Sequence, residues 1–141
     1  MLGNLRLPLA WLVAATATAG SLFFSEVMDL PPCVLCWYQR VAMYPLVFVL
    51  GASYLRQDGA HRVYGVPLAL SGLCIAIYHN LLYYKLIEQN IIPCTSGVSC
   101  TSRQIEWFGF VTIPFLSLCA FALILILLML PTSKTPTGRT P

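Results

Sequence analysis

Residues 108–130 read FGFVTIPFLSLCAFALILILLML, without a single charged side chain. As a helix, such a run can cross the roughly 30 Å hydrocarbon core of a bilayer, which takes about 20 apolar residues. Backbone polar groups must be satisfied internally in lipid, so the run is a helix rather than an open strand. Three more such stretches precede it, at about 7–28, about 35–55 and about 64–84. The second of them contains one charge, Arg40. The connections, about 29–34, 56–63 and 85–107, are short, and the polar, Pro-rich end PTSKTPTGRTP departs from the apolar pattern.

Composition agrees. The chain has 141 residues, 58% hydrophobic and 9% charged, with a mean hydropathy of +0.78. A soluble domain carries about 25% charged residues, so an ordinary soluble enzyme and a disordered chain are excluded. A net charge of +3 with no basic cluster argues against a nucleic-acid partner. The expected fold is an all-α integral membrane protein, a four-transmembrane-helix bundle over residues 1–131, with 132–141 a disordered cytoplasmic tail. Nothing demands more than a monomer.

Charge bias predicts the orientation. With both termini cytoplasmic, the inner segments hold Arg6, Arg56, Arg62, Lys134 and Arg139, and the outer ones Arg40, Lys85 and Arg103. The acids Glu26, Asp29, Glu88 and Glu106 fall outside and Asp58 inside. Arg6, an apolar run and Ala17-Thr18-Ala19 also fit a cleavable leader. The run continues through Leu22, Phe23 and Phe24, which favours a retained span. This orientation places the protein in a cell membrane, multi-pass.

Six cysteines need their own explanation. Cys33 and Cys36 fall at the outer end of the second span, and Cys94 and Cys100 in the second outer loop. All four then face the oxidising side of the membrane, where disulfides persist. Cys74 and Cys119 lie within the third and fourth spans and are expected to be packing residues, because free cysteine behaves as a small hydrophobe. Cys33-Val34-Leu35-Cys36 is a C-x-x-C beside a helix start, a setting that stabilises a thiolate. The spacing suits reversible dithiol chemistry. Two alternatives stay open: disulfides that only brace the loops, and a four-sulfur zinc site of Cys33, Cys36, Cys94 and Cys100.

Two rare polar residues share a depth. Arg40 follows Cys36 by one helical turn and His79 lies in the third span, each roughly 7 Å below the outer interface at about 1.5 Å per residue. An ionisable group there suggests function by default. Arg40 is expected to face a cavity beside Cys36, hold its thiolate and donate to an electron-rich oxygen. His79 is a candidate for binding or protonating a reduced ligand. His61, in the inner loop, has no assigned role. Two dithiols in series pass an electron pair but cannot dispose of it. The chain has no nucleotide fingerprint, so a quinone dissolved in the bilayer is the expected acceptor.

The run Pro32-Cys33-Val34-Leu35-Cys36-Trp37-Tyr38-Gln39-Arg40 resembles the P-C-x-x-C-x-Y-x-R signature of the disulfide bond formation family DsbB. Cys100, Arg103-Gln104, Trp107, Gly109 and Pro114 are similar to that family's stretch from its last loop cysteine into its fourth helix, and His79 falls where it places a quinone-proximal histidine. The close spacing of Cys94 and Cys100 resembles the short forms named BdbC. The resemblance implies a protein dithiol:quinone oxidoreductase with Cys33, Cys36, Cys94 and Cys100 catalytic and Arg40, His79 and Cys36 at the quinone, either ubiquinone or menaquinone. It implies a partner, a thioredoxin-fold thiol oxidase similar to DsbA or BdbD, that attacks Cys94 of a Cys94–Cys100 disulfide. Cys100 then exchanges with Cys33 and releases Cys36 toward the quinone of the bacterial plasma membrane.

Overall fold

The computed structural model describes residues 2–86, 106–107 and 111–131. Helix α1 is Leu2–Glu26, α2 is Val34–Arg56, α3 is Val66–Tyr83 and α4 is Ile113–Met129. A single π-helical stretch, His61–Gly65, runs directly into α3, so the two together form one 23-residue apolar rod. Among the described residues, three rods are long and apolar enough to cross a membrane, and α4, at 17 residues, is shorter. Helix α1 packs on α2, α2 on α3, α3 on α4, and α4 back on α1, which closes a four-helix ring. The start of α1 meets the exit from α4 where Arg6 donates to the Pro131 carbonyl at 2.6 Å.

Local chemistry sets the ends of α2. Pro31-Pro32 holds the approach extended, since proline fixes its own φ and disfavours α geometry in the residue before it. Cys33, at φ −73 and ψ 170, caps the helix, its sulfur accepting from the Cys36 N–H. Arg56 sits in the last turn, where a cation complements the helix dipole. Gln57 then turns left-handed at φ 54. In the following bend, the Ser53 hydroxyl donates to the Asp58 carbonyl at 3.0 Å and accepts from the His61 N–H at 3.2 Å. The Asp58 carboxylate accepts from the Ala60 N–H at 3.1 Å, which lowers its pKa.

Helix α4 begins later than the apolar run suggests. Trp107 pairs with Val111 and Glu106 with Thr112 in a two-stranded antiparallel ribbon (β1, Glu106–Trp107; β2, Val111–Thr112). Thr112 caps α4 by accepting from the Phe115 N–H at 3.3 Å, and a proline occupies the first turn, where a missing N–H costs nothing. Hydropathy alone could not locate this start, because the apolar run continues unbroken from 108 into the helix. The tail 132–141 lies outside the described residues.

The main core joins all four helices through Ala10 and Ala14, Met43 and Leu46, Ala69 and Ala76, and Phe121 and Ile124. Small residues let the rods approach closely. A Cβ on Gly72 would collide with the Phe121 ring, and one on Gly51 would lie 3.0 Å from the Trp11 ring nitrogen. Large apolar side chains cover the outside instead, among them Val41, Phe48, Leu55, Leu70, Ile126 and Met129. An apolar exterior of this extent suits lipid rather than water.

Candidate functional site

The head of α2 brings two sulfurs together. Cys33 and Cys36 are a free dithiol with Sγ atoms 3.0 Å apart. Cys33 is buried and Cys36 half-buried. The strongest influence on the Cys33 thiol is the hydrogen bond from the Cys36 thiol, which draws its pKa down from the ordinary thiol value. Burial opposes that shift, while His79 and the Cys36 backbone N–H reinforce it. The first turn of a helix also carries partial positive charge, which favours an anion at its cap. These influences together favour ionisation of Cys33 relative to an ordinary thiol.

His79 reaches this pair from α3. Its Nε2 lies 3.7 Å from the Cys33 sulfur, and its Nδ1 lies 3.1 Å from the side-chain amide of Gln39 on α2. His79 is 2% exposed and Gln39 6%. Gln39 was not singled out from the sequence as a site residue. Its signal was a polar side chain in an apolar span, one turn after Cys36 and facing the same way.

Arg40 sits on the other flank of Cys36. It is 9% exposed, so it does not snorkel to the surface. Its Nε donates to the Ser21 hydroxyl at 2.9 Å and its Nη2 to the Ser21 carbonyl at 2.8 Å. Its guanidinium carbon lies 5.5 Å from the centroid of the Trp37 ring. Ser21 carried no signal in the sequence, because a serine within an apolar helix is common. Cys36, Gln39 and Arg40 line a cavity of about 510 Å³ between α1, α2 and α4. Leu12, Met43 and Phe121 give it an otherwise apolar wall. Its volume falls in the roughly 300–1,000 Å³ range of small-molecule sites. His79 is not among the residues that line it; it touches Cys33 instead.

Cys94, Cys100, Arg103 and Gln104 lie outside the described residues, as do Glu88, Gly109, Lys134 and Arg139. Cys74 and Cys119 are exposed on the outer faces of α3 and α4, which corrects the expectation that they pack inside. A small apolar thiol is as well accommodated by lipid as by a protein core. His61 contacts the Ser53 hydroxyl at 3.0 Å, at the opposite end of α2 from the dithiol. Among the described residues, Cys33, Cys36 and His79 place their donor atoms within 4.8 Å of one another, so these three could also hold a metal ion.

The model of the family described as disulfide bond formation protein DsbB matches residues 4–131. The chain belongs to this family. Disulfide bond formation protein C of Bacillus subtilis (strain 168) is 48% identical over 121 residues, covering 86% of this chain and 88% of that protein. A Bacillus anthracis protein named probable disulfide formation protein C 2 is 46% identical over 135 residues, 95% of each chain. A Metapseudomonas resinovorans protein named probable disulfide formation protein is 45% identical over 136 residues, 96% of this chain and 94% of that one. No solved structure matches. As a DsbB-family member with this helical architecture, the chain is a multi-pass membrane protein with an oxidoreductase role in disulfide formation.

Proposed function

We propose that the protein oxidises a thioredoxin-fold partner on the extracytoplasmic side of a bacterial plasma membrane and delivers the electrons to a membrane quinone. One observation carries this reading. The Cys36 sulfur lies 3.0 Å from Cys33 on one side and lines the apolar cavity with Arg40 on the other. Cys36 thus stands between thiol exchange and a cavity suited to a lipid-soluble acceptor.

The donor set fits a quinone. An apolar wall suits its ring and tail, and a buried guanidinium suits a carbonyl oxygen that gains negative charge. A bound quinone supplies an acceptor for two electrons and two protons. Arg40, braced by Ser21, would orient the ring and hold its oxygen, while Leu12, Met43 and Phe121 exclude water.

The chain's own residues carry out the exchange. A partner thiolate attacks Cys94 of a Cys94–Cys100 disulfide, and the freed Cys100 thiolate attacks Cys33 of a Cys33–Cys36 disulfide. Each attack forms one S–S bond and breaks another. Cys36 leaves as a thiolate at the cavity. The partner's second thiol displaces Cys94, and the Cys94 thiolate attacks Cys100, which restores Cys94–Cys100 and frees Cys33. Cys33 and Cys36 would then re-form their disulfide as two electrons and two protons pass to a quinone. In net terms, two electrons and two protons leave the partner's dithiol, which becomes a disulfide.

The deciding experiment is anaerobic. The purified protein is mixed with a reduced thioredoxin-like partner and a soluble quinone, and quinone absorbance is followed. The expected result is stoichiometric quinone loss that vanishes in Cys36→Ser. No quinone loss, with one equivalent of zinc in the purified protein, would instead favour a metal site built on Cys33, Cys36 and His79.

A further inference from the structure

We propose that Gln39 is a positioning residue, whose side-chain amide aims the His79 ring at Cys33 and lets that ring take up and return the Cys33 proton. The inference deepens the reading of Cys33–Cys36 as a redox dithiol and rests on it. It begins from a chain of contacts. The Gln39 amide lies 3.1 Å from His79 Nδ1, and His79 Nε2 lies 3.7 Å from the Cys33 sulfur. All three side chains are buried, and a buried polar group is kept only where its partners are satisfied.

A primary amide has a donor end and an acceptor end of nearly the same shape. With its N–H toward Nδ1, the neutral ring carries its proton on Nε2 and donates to an ionised Cys33. With its C=O toward an Nδ1–H, Nε2 has a free lone pair. That lone pair can accept the Cys33 proton: the S–H bond breaks, an N–H bond forms, and no electron moves. One half-turn of the amide therefore serves both protonation states of the ring. Glutamate could accept from Nδ1–H in the same place, whereas methionine, of similar length, could do neither.

The groups facing the ring are few. At the head of α2 they are Cys33 and Cys36, while Arg40 is held by Ser21 of α1. Helix α4, also packed on α3, brings Cys119 alone among titratable side chains, and it is exposed on the outer face. The π-helical stretch brings His61, Arg62 and Tyr64 at the other end of the rod. No described acid on these packed elements competes with Gln39 for Nδ1.

The test is a pH titration of ultraviolet thiolate absorbance in the reduced full-length protein, with Cys33→Ser identifying the Cys33 signal. Gln39→Met is expected to make Cys33 ionisation about tenfold less favourable, which moves its midpoint up by about one pH unit. Gln39→Glu is expected to stay within about twofold of the parent. In a His79→Ala background, Gln39→Met is expected to add nothing, because its effect passes through the ring. A Gln39→Met titration that overlays the parent's would overturn the proposal. So would an undiminished Gln39→Met effect without His79. If Gln39→Met fails to accumulate, a tenfold loss in Gln39→Glu would refute the proposal by itself. The readout needs no quinone, so a failure here is distinct from a failure of quinone reduction.

Discussion

Cys33 does two things at once: it caps α2 with its sulfur and holds the more acidic thiol of the pair. The sign of the pH effect follows. A thiol whose pKa is lowered by folding adds stability above its unfolded value and loses that contribution as pH falls through the folded value. Thermal unfolding of the reduced protein should therefore show a decline toward acid pH that Cys33→Ser abolishes; equal declines in both would refute the assignment. Arg40 makes its contribution on the cavity side of Cys36. On the proposed reading, Arg40→Ala removes the guanidinium that would hold the quinone oxygen, a charge-assisted hydrogen bond of about 1.5–3 kcal/mol, so quinone reduction should slow by at least tenfold while exchange with the partner changes little. Stopped-flow measurement of the two steps separates them, and equal loss in both would place Arg40 elsewhere. Cys33, Cys36, Arg40 and His79 were all legible as polar or reactive residues at the head of apolar spans. Gln39 and Ser21 were not, because their importance lies in what they touch on another helix.

At the scale of helices, close approach depends on small side chains at a few crossings. Gly72 faces the Phe121 ring with no room for a methyl group. Gly72→Ala should cost about 1–3 kcal/mol through overpacking, read as a lower unfolding midpoint in detergent. Phe121→Leu in the same chain should recover part of the loss, and failure to recover any would show that the crossing is not the cause. The late start of α4 is a second lesson at this scale. An apolar run from 108 to 130 marked a span, yet the helix begins at Ile113, because Thr112 offers a cap and Trp107 and Val111 pair as a ribbon. Thr112→Val should cost about 1 kcal/mol by removing that cap, and an unchanged midpoint would rule out its role.

For the molecule as a whole, the apolar exterior and closed ring of helices suit a bilayer, and Cys33 and Cys36 sit together at the head of α2. On the proposed orientation, read from charge bias, that end faces outside the cell. In intact cells a membrane-impermeant maleimide should then label Cys94 and Cys100 after reduction, but not a cysteine placed at Asp58. The opposite pattern would invert the topology. Cys74 and Cys119 lie on the lipid-facing surface, so replacing both with serine should leave turnover within about twofold, as is usual for surface substitutions away from special features.

Some of this protein was determined by sequence alone. Apolar runs of about 20 residues marked the helical spans, because a helix satisfies its backbone groups within one segment in lipid. Pro32-Cys33 and Cys36 set the place of the dithiol, because proline and a capping sulfur define a helix start. Only the tertiary structure decided which groups from separate helices converge there. His79 and Gln39 meet across α2 and α3, Ser21 reaches Arg40 from α1, and Cys36 comes to line a cavity. Hydropathy has no direction around a helix that is apolar on every face, so only packing of the rods could assign which side each of these residues presents.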